Sequence, residues 1–116
     1  MQRKFRLTHS EDFKRVRRSG KSYAHPLVVL IVQMHEQPHI QIGIAAGRTV
    51  GTAVHRNRAK RLLREAMRTL LPNLASNLDL ILIARPGLAS ATLEDTRQAL
   101  LNLLGRAQIL ISTNES

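Results

Sequence analysis

The chemistry-bearing residues of this chain crowd into Ala53-Val54-His55-Arg56-Asn57-Arg58-Ala59-Lys60-Arg61-Leu62-Leu63-Arg64-Glu65-Ala66-Met67-Arg68. Laid out at about 100° per residue, Asn57, Lys60, Arg61, Arg64 and Arg68 follow the i, i+3, i+4, i+7, i+11 spacing of one helical stripe. Ala59, Leu62, Leu63, Ala66, Met67 and Leu70 take the opposite arc, which requires a core. Glu65 is the single acid, placed four residues after Arg61 and three before Arg68, within reach of both. Like charges crowded on one face destabilise an isolated helix, so the pattern makes sense where an external polyanion neutralises it. A charged helix face is more often plain solvated surface, but such faces mix Lys with Glu. This one favours Arg, whose planar fork holds phosphate bidentately. The stripe therefore points to nucleic acid.

A search for protein-borne catalysis finds little. The five histidines are His9, His25, His35, His39 and His55. Only His35 and His39 have the i, i+4 spacing of a metal pair. They flank a predicted turn containing Pro38, so they are read as two exposed loop histidines and no metal site is assigned. Glu11, Asp12, Glu94 and Asp95 suit the first turns of helices, where the backbone dipole favours acids. Asp79 is read as an edge residue at the start of a strand. No Gly-x-Ser-x-Gly is present. Gly47-Arg48-Thr49-Val50-Gly51 lacks the Gly-Lys-Ser/Thr ending of a phosphate loop, though Arg48 could extend the anion-binding surface.

Composition bounds the answer further. At 116 residues the chain reads as one domain, 1–116, with an aliphatic core, since aromatics make up 3%. The formal net charge is +10, and it is focused. Residues 1–21 carry +6 and residues 56–68 carry +5, so the remainder sums to −1. The absence of cysteine removes disulfides and thiolate sites and fits a reducing, cytoplasmic setting. No stretch approaches the roughly 18 apolar residues of a membrane span. The basic N-terminus is not followed by an apolar run of about 7–15 residues, so it is not read as a secretory signal.

The elements that must position these residues follow in order. Residues 1–7 are expected to be extended and basic. Ser10 caps a short helix running to about Arg18 and stopping near Gly20, with Phe13 and Val16 inward. Leu27–Met34 reads as a buried strand, Glu36-Gln37-Pro38 as a turn, and Ile40, Ile42 and Ile44 as a second strand, predicting an antiparallel hairpin. Thr52 caps the basic helix, which ends at Leu70-Leu71-Pro72. Leu78–Ala84 reads as a third buried strand, and Thr92 starts a last helix with leucines on one face. Residues 112–116 are a tail. The expected fold is an α+β sandwich: a small sheet with helices on one face, leaving the other open to a ligand.

At Gly51-Thr-Ala-Val-His-Arg56-Asn57-Arg58-Ala-Lys60-Arg61-Leu-Leu-Arg64-Glu65 the chain resembles the protein component of bacterial ribonuclease P. That family carries Gly-x-Ala-Val-x-Arg-Asn-Arg-x-Lys-Arg-x-x-Arg-Glu, and every fixed position is met. Asp12-Phe13-x-x-Val16 with Gly20-Lys21, Ile42-Gly43-Ile44, and Asp79-Leu-Ile-Leu-Ile-Ala84-Arg85-Pro86 extend the resemblance to about residues 6–105.

The resemblance implies a two-layer α/β sandwich like domain 2 of ribosomal protein S5. It implies a subunit of a ribonucleoprotein that removes the 5′ leader of precursor tRNA, an endonucleolytic hydrolysis in which RNA supplies the catalysis and the protein supplies no catalytic residue. Mg²⁺ would be bound mainly through the RNA, with none held by the protein alone. The partners would be ribonuclease P RNA and precursor tRNA, with no membrane and no small-molecule substrate, and the chain is expected to act as a monomer in that complex. Carried over by position, Arg48, Arg56, Asn57, Arg58, Lys60, Arg61, Arg64 and Arg68 would meet the catalytic RNA. Phe13, Arg17, Lys21 and Tyr23 would meet the leader. The family often has an aromatic four residues after Phe13, where this chain has Arg17, so the leader cleft is expected to rely more on charge than on stacking. The alternative is a general ribosomal-type or architectural nucleic-acid-binding protein, which charge and fold alone would equally support.

Overall fold

The computed structural model describes residues 6, 7 and 10–110. The expected tail at 112–116, and all but the last two residues of the expected N-terminal extension, lie outside them.

Among the described residues, three α-helices and four strands are formed. Helix α1 spans Ser10–Ser19 and leads directly into strand β1, Lys21–Ala24. Strand β2 is Val28–Met34 and β3 is Ile40–Ala46. After a 3-10 turn at Arg48–Val50 comes α2, Ala53–Leu70, capped by the Thr52 hydroxyl accepting from the His55 N–H. Strand β4 is Leu78–Ala84, and α3 is Leu93–Arg106. Thr92 and Asp95 close a reciprocal capping box on α3, satisfying two otherwise orphaned N–H groups. Sequence reading missed β1. Its Lys-Ser-Tyr-Ala is mostly exposed, so it carries no apolar alternation to detect.

The sheet order is β1-β2-β4-β3, which corrects the expected hairpin. Strand β4 runs antiparallel to β2 and parallel to β3, separating the two. The physical reason is burial. Leu-Asp-Leu-Ile-Leu-Ile-Ala is apolar on both faces, and six of its seven residues are buried, so it belongs at the centre. Strand β3, with Gln41, Gly43 and Ala45 on one face, tolerates the edge. The link from β2 to β3 therefore crosses the start of β4. The His35 N–H donates to the Asn77 carbonyl at 3.0 Å, and the Leu78 N–H donates to the His39 carbonyl at 3.1 Å.

Both faces of the sheet are used. Val28, Leu30 and Val32 of β2 and Leu78, Leu80 and Leu82 of β4 point to the main core under α2 and α3. Ile31 and Ile81 point the other way and pack with Leu7, Val16 and Phe13. The expectation of helices on one face is thus corrected: α1 sits on the opposite face. The sequence gives α1 only Phe13 and Val16 as apolar anchors, so it covers part of that face. Val29 and Ile83 there stay half-buried.

Candidate nucleic-acid interface

Helix α2 buries Ala59, Leu63, Ala66, Met67 and Leu70, as its period dictates. Leu62 is only half-buried, because it lies on the flank turned to α3. That flank is set by contacts. Arg97 of α3 donates from Nε to the Thr69 hydroxyl at 3.3 Å, and Thr69 lies seven residues after Leu62 and eleven after Arg58. The stripe of Asn57, Lys60, Arg61, Arg64 and Arg68 runs along the side of α2 opposite its buried residues, and Arg61, at its α3 border, lines a depression with Leu62, Glu65 and Leu93. Asn57, Arg61 and Arg68 are exposed, and Lys60 and Arg64 are half-buried. Arg68 pairs with Glu65, which holds the Glu65 carboxyl below its usual range, mainly through that hydrogen bond. Arg48, exposed in the turn after β3, lies just ahead of α2.

The other two signature arginines do not join the stripe. Arg56 lies seven residues before Leu63, on the core-facing side of the first turn; it is half-buried, and its Nε has no hydrogen-bond partner among the described residues. Arg58 turns towards the segment before α3. Its Nε donates to the Ala89 carbonyl at 2.7 Å and its Nη2 to the Ala91 carbonyl at 3.0 Å. Those carbonyls belong to the 3-10 turn at Pro86–Ser90 and the residue after it, so Arg58 ties α2 to the entrance of α3. Spacing within one helix could not show this, because the acceptors lie 31 and 33 residues away. Replacing Arg58 by Ala is expected to lower folding stability by about 1–2 kcal/mol, discounted for the exposure of the side chain. Arg58→Lys should recover little, since an ammonium cannot reproduce the two-pronged geometry. Urea denaturation checks both.

The residues expected at the leader divide between the two faces. Phe13 packs on the α1 face, where a Cβ added at Gly43 would come within 2.8 Å of the ring. Only glycine lets the ring lie that close to β3. Arg17 is exposed one helical turn further along α1. Lys21 and Tyr23 pair across β1–β2 with Val32 and Leu30, whose side chains face the α2/α3 core. They line a depression of about 740 Å³ with Arg106 and Gln108, at the β1 edge. The structure therefore brings Phe13 and Arg17 together, and places Lys21 and Tyr23 around the edge of the sheet.

The expectation for Asp79 is overturned. It lies on the central strand and is 2% exposed. Oδ2 accepts from Arg15 Nη2 at 2.9 Å, and Oδ1 lies 3.3 Å from His35 Nε2. Arg15 also bonds Gln33 and reaches Asp12 at 3.4 Å. Its guanidinium is held above the ordinary arginine value, chiefly by the hydrogen bond to Asp79, with burial opposing.

Magnesium would need near-octahedral oxygen ligation. Among the described residues, the one group of three metal-capable side chains is His35, His39 and Asp79. Two imidazoles and a carboxylate already held by Arg15 do not suit that ion.

Comparison with known proteins agrees with this architecture. A family model described as Ribonuclease P matches residues 1–108. The ribonuclease P protein component of Herpetosiphon aurantiacus is 41% identical over 109 residues, covering 94% of this chain and 89% of that protein. The structure of the Staphylococcus aureus RNase P protein superposes with a TM-score of 0.82 at 28% identity, covering 91% of this chain and 97% of that one. The RNase P protein from Thermotoga maritima gives a TM-score of 0.77 at 30% identity, covering 87% and 96%.

Proposed function

This chain belongs to the bacterial ribonuclease P protein family, and we propose that it docks on ribonuclease P RNA through the outer flank of α2 and presents the α1 face to the 5′ leader of precursor tRNA. Family membership makes it a component of a tRNA-processing ribonucleoprotein with an RNA partner. The observation that carries the docking surface is the charge asymmetry of α2. Lys60, Arg61 and Arg64 have no acidic partner among the described residues and share one solvent-facing flank. Phosphates supply the missing counter-charge.

The leader reading rests on Phe13, with the exposed Arg17 one helical turn further along α1, on the face of the sheet where Val29 and Ile83 stay half-buried. Single strands bind where cations flank an aromatic platform, and here the platform is a single ring. Lys21 and Tyr23 would meet the leader only where it turns around the β1 edge. Replacing Arg17 by Ala should weaken precursor binding and lower the log–log salt slope by about 0.7, the share of one single-strand phosphate. Titrations at several salt concentrations measure both quantities, and an unchanged slope would remove Arg17 from the leader path.

In this mechanism the protein contributes binding and orientation. Mg²⁺, held through the RNA, would supply the metal chemistry of hydrolysis. The test is precursor-tRNA cleavage by bacterial ribonuclease P RNA at low Mg²⁺, with and without this chain. Restored leader removal, weakened by Arg64→Ala with Arg68→Ala, supports the proposal. Tight RNA binding that never restores cleavage, and that duplex DNA competes away, favours a general nucleic-acid-binding role.

A further inference from the structure

The link between β2 and β3 carries His35 and His39, and the strand it crosses carries Asp79. The sequence separates the histidines from Asp79 by about forty residues, yet the three donor atoms lie within 4.8 Å of one another. Asp79 Oδ1 is 3.3 Å from His35 Nε2 and 3.9 Å from His39 Nε2. The two imidazole rings are tilted against each other with centroids 4.5 Å apart. We propose that His35, His39 and Asp79 form a site for one borderline transition-metal dication of the zinc type, bound by the two Nε2 atoms and Oδ1.

The geometry fits such an ion. Tetrahedral ligands about 2.0–2.1 Å from zinc lie roughly 3.3 Å apart. The His35–Asp79 pair already has that spacing. His39 must close in by a few tenths of an ångström or more, and it is the member free to do so, with a side chain 47% exposed. Its exposure also leaves an outer position for water, as in three-ligand zinc sites. Two imidazoles and a carboxylate are borderline donors that suit zinc, cobalt or nickel rather than magnesium.

The scaffold is prepared in advance. The His35 backbone exchanges hydrogen bonds with Asn77, its N–H donating to the Asn77 carbonyl and its carbonyl accepting from Asn77 Nδ2 at 2.8 Å. The His39 carbonyl accepts from the Leu78 N–H. Arg15 holds Oδ2, so Oδ1 faces the histidines. Such an outer hydrogen bond orients a ligating carboxylate. With Asp12 and Asp79 against Arg15, the local balance is one negative charge, which favours a cation.

One interaction opposes binding and sets its strength. His35 Nδ1 accepts from the Gln37 N–H at 3.2 Å, so the neutral ring carries its proton on Nε2. A metal at Nε2 shifts that proton to Nδ1 and breaks the bond to Gln37. Gln37 is exposed and the bond is long, so the loss is small, but the site should be weaker than a structural zinc centre. This site departs from the expectation that the protein alone holds no metal, and it does not depend on the RNA.

The test uses the full chain without RNA, above the imidazole titration range. Co²⁺ is titrated while the visible d–d absorption is followed, and Zn²⁺ is then added in competition. One Co²⁺ per chain, displaced by Zn²⁺, is expected. His39→Ala and His35→Ala should each weaken binding at least tenfold, while His25→Ala and His55→Ala leave it unchanged. Zn²⁺ should also raise the thermal midpoint of the unmodified chain and not that of His39→Ala. His39 is exposed, so its variant is expected to fold, which circular dichroism verifies. Absence of a Co²⁺ spectrum at millimolar metal, or binding indifferent to both His35→Ala and His39→Ala, would overturn the proposal.

Discussion

Replacing Arg15 by Met is expected to lower folding stability by about 3 kcal/mol, among the largest losses available from one surface-reaching side chain. The reason lies in the partner. Asp79 is almost fully buried on the central strand, and Arg15 is its closest charged contact. Removing the guanidinium leaves a carboxylate desolvated, with His35 as its nearest remaining partner. Breaking a buried pair from one side typically costs about 3–5 kcal/mol; the lower end applies because the Arg15 side chain is itself 38% exposed. For a domain of this size the loss corresponds to a fall of roughly 12–20 °C in Tm. The double variant Arg15→Met with Asp79→Leu should recover most of it, since no unpaired charge then remains. Denaturant melts in a chelating buffer measure the cycle without interference from bound metal. A single-variant loss below about 1 kcal/mol would mean that Asp79 is stabilised by something other than Arg15.

The second large effect concerns RNA. Replacing Lys60, Arg61 and Arg64 together by Ala should raise the Kd for ribonuclease P RNA roughly a hundredfold at moderate salt. That corresponds to about 1 kcal/mol for each lost phosphate contact. The log–log salt slope should fall by about 2–3. Folding stability should hold or rise by a few tenths of a kcal/mol, because alanine is the best helix former and like-charge repulsion along the stripe is relieved. Filter binding across a salt series, beside a denaturant melt, separates the two. A lost affinity with an unchanged slope would place the phosphate contacts elsewhere, for example at residues 1–21, where the rest of the positive charge lies.

The contrast between Arg58 and Arg61 shows how far local reading reaches. Both are exposed arginines of one helix, three residues apart, and both match the family signature. Arg61 stays in the solvent-facing stripe, as the helical angle says. Arg58 is taken up by two carbonyls of a distant turn. Helical phase tells which way a side chain leaves its own helix, and it carries no information about what folds up opposite. Tyr23 makes the same point for strands. The resemblance groups it with Phe13 at the leader, but the pleat of β1 sends Tyr23 to the α3 side of the sheet, and Lys-Ser-Tyr-Ala is too polar to carry a strand signal.

What the amino-acid sequence determined by itself was every feature set by short-range periodicity or composition. These are the basic and apolar arcs of α2, the bounds of β4, the caps at Thr52 and Thr92, the aliphatic core and the family signature. Pairing at long range was left to tertiary packing. Strand β4 enters between β2 and β3, and its arrival carries Asp79 to Arg15, His35 and His39. A short turn after β2 is compatible with either a hairpin or a crossing. The choice is made by burial, because a strand apolar on both faces loses more at an edge than the chain loses by stepping across it.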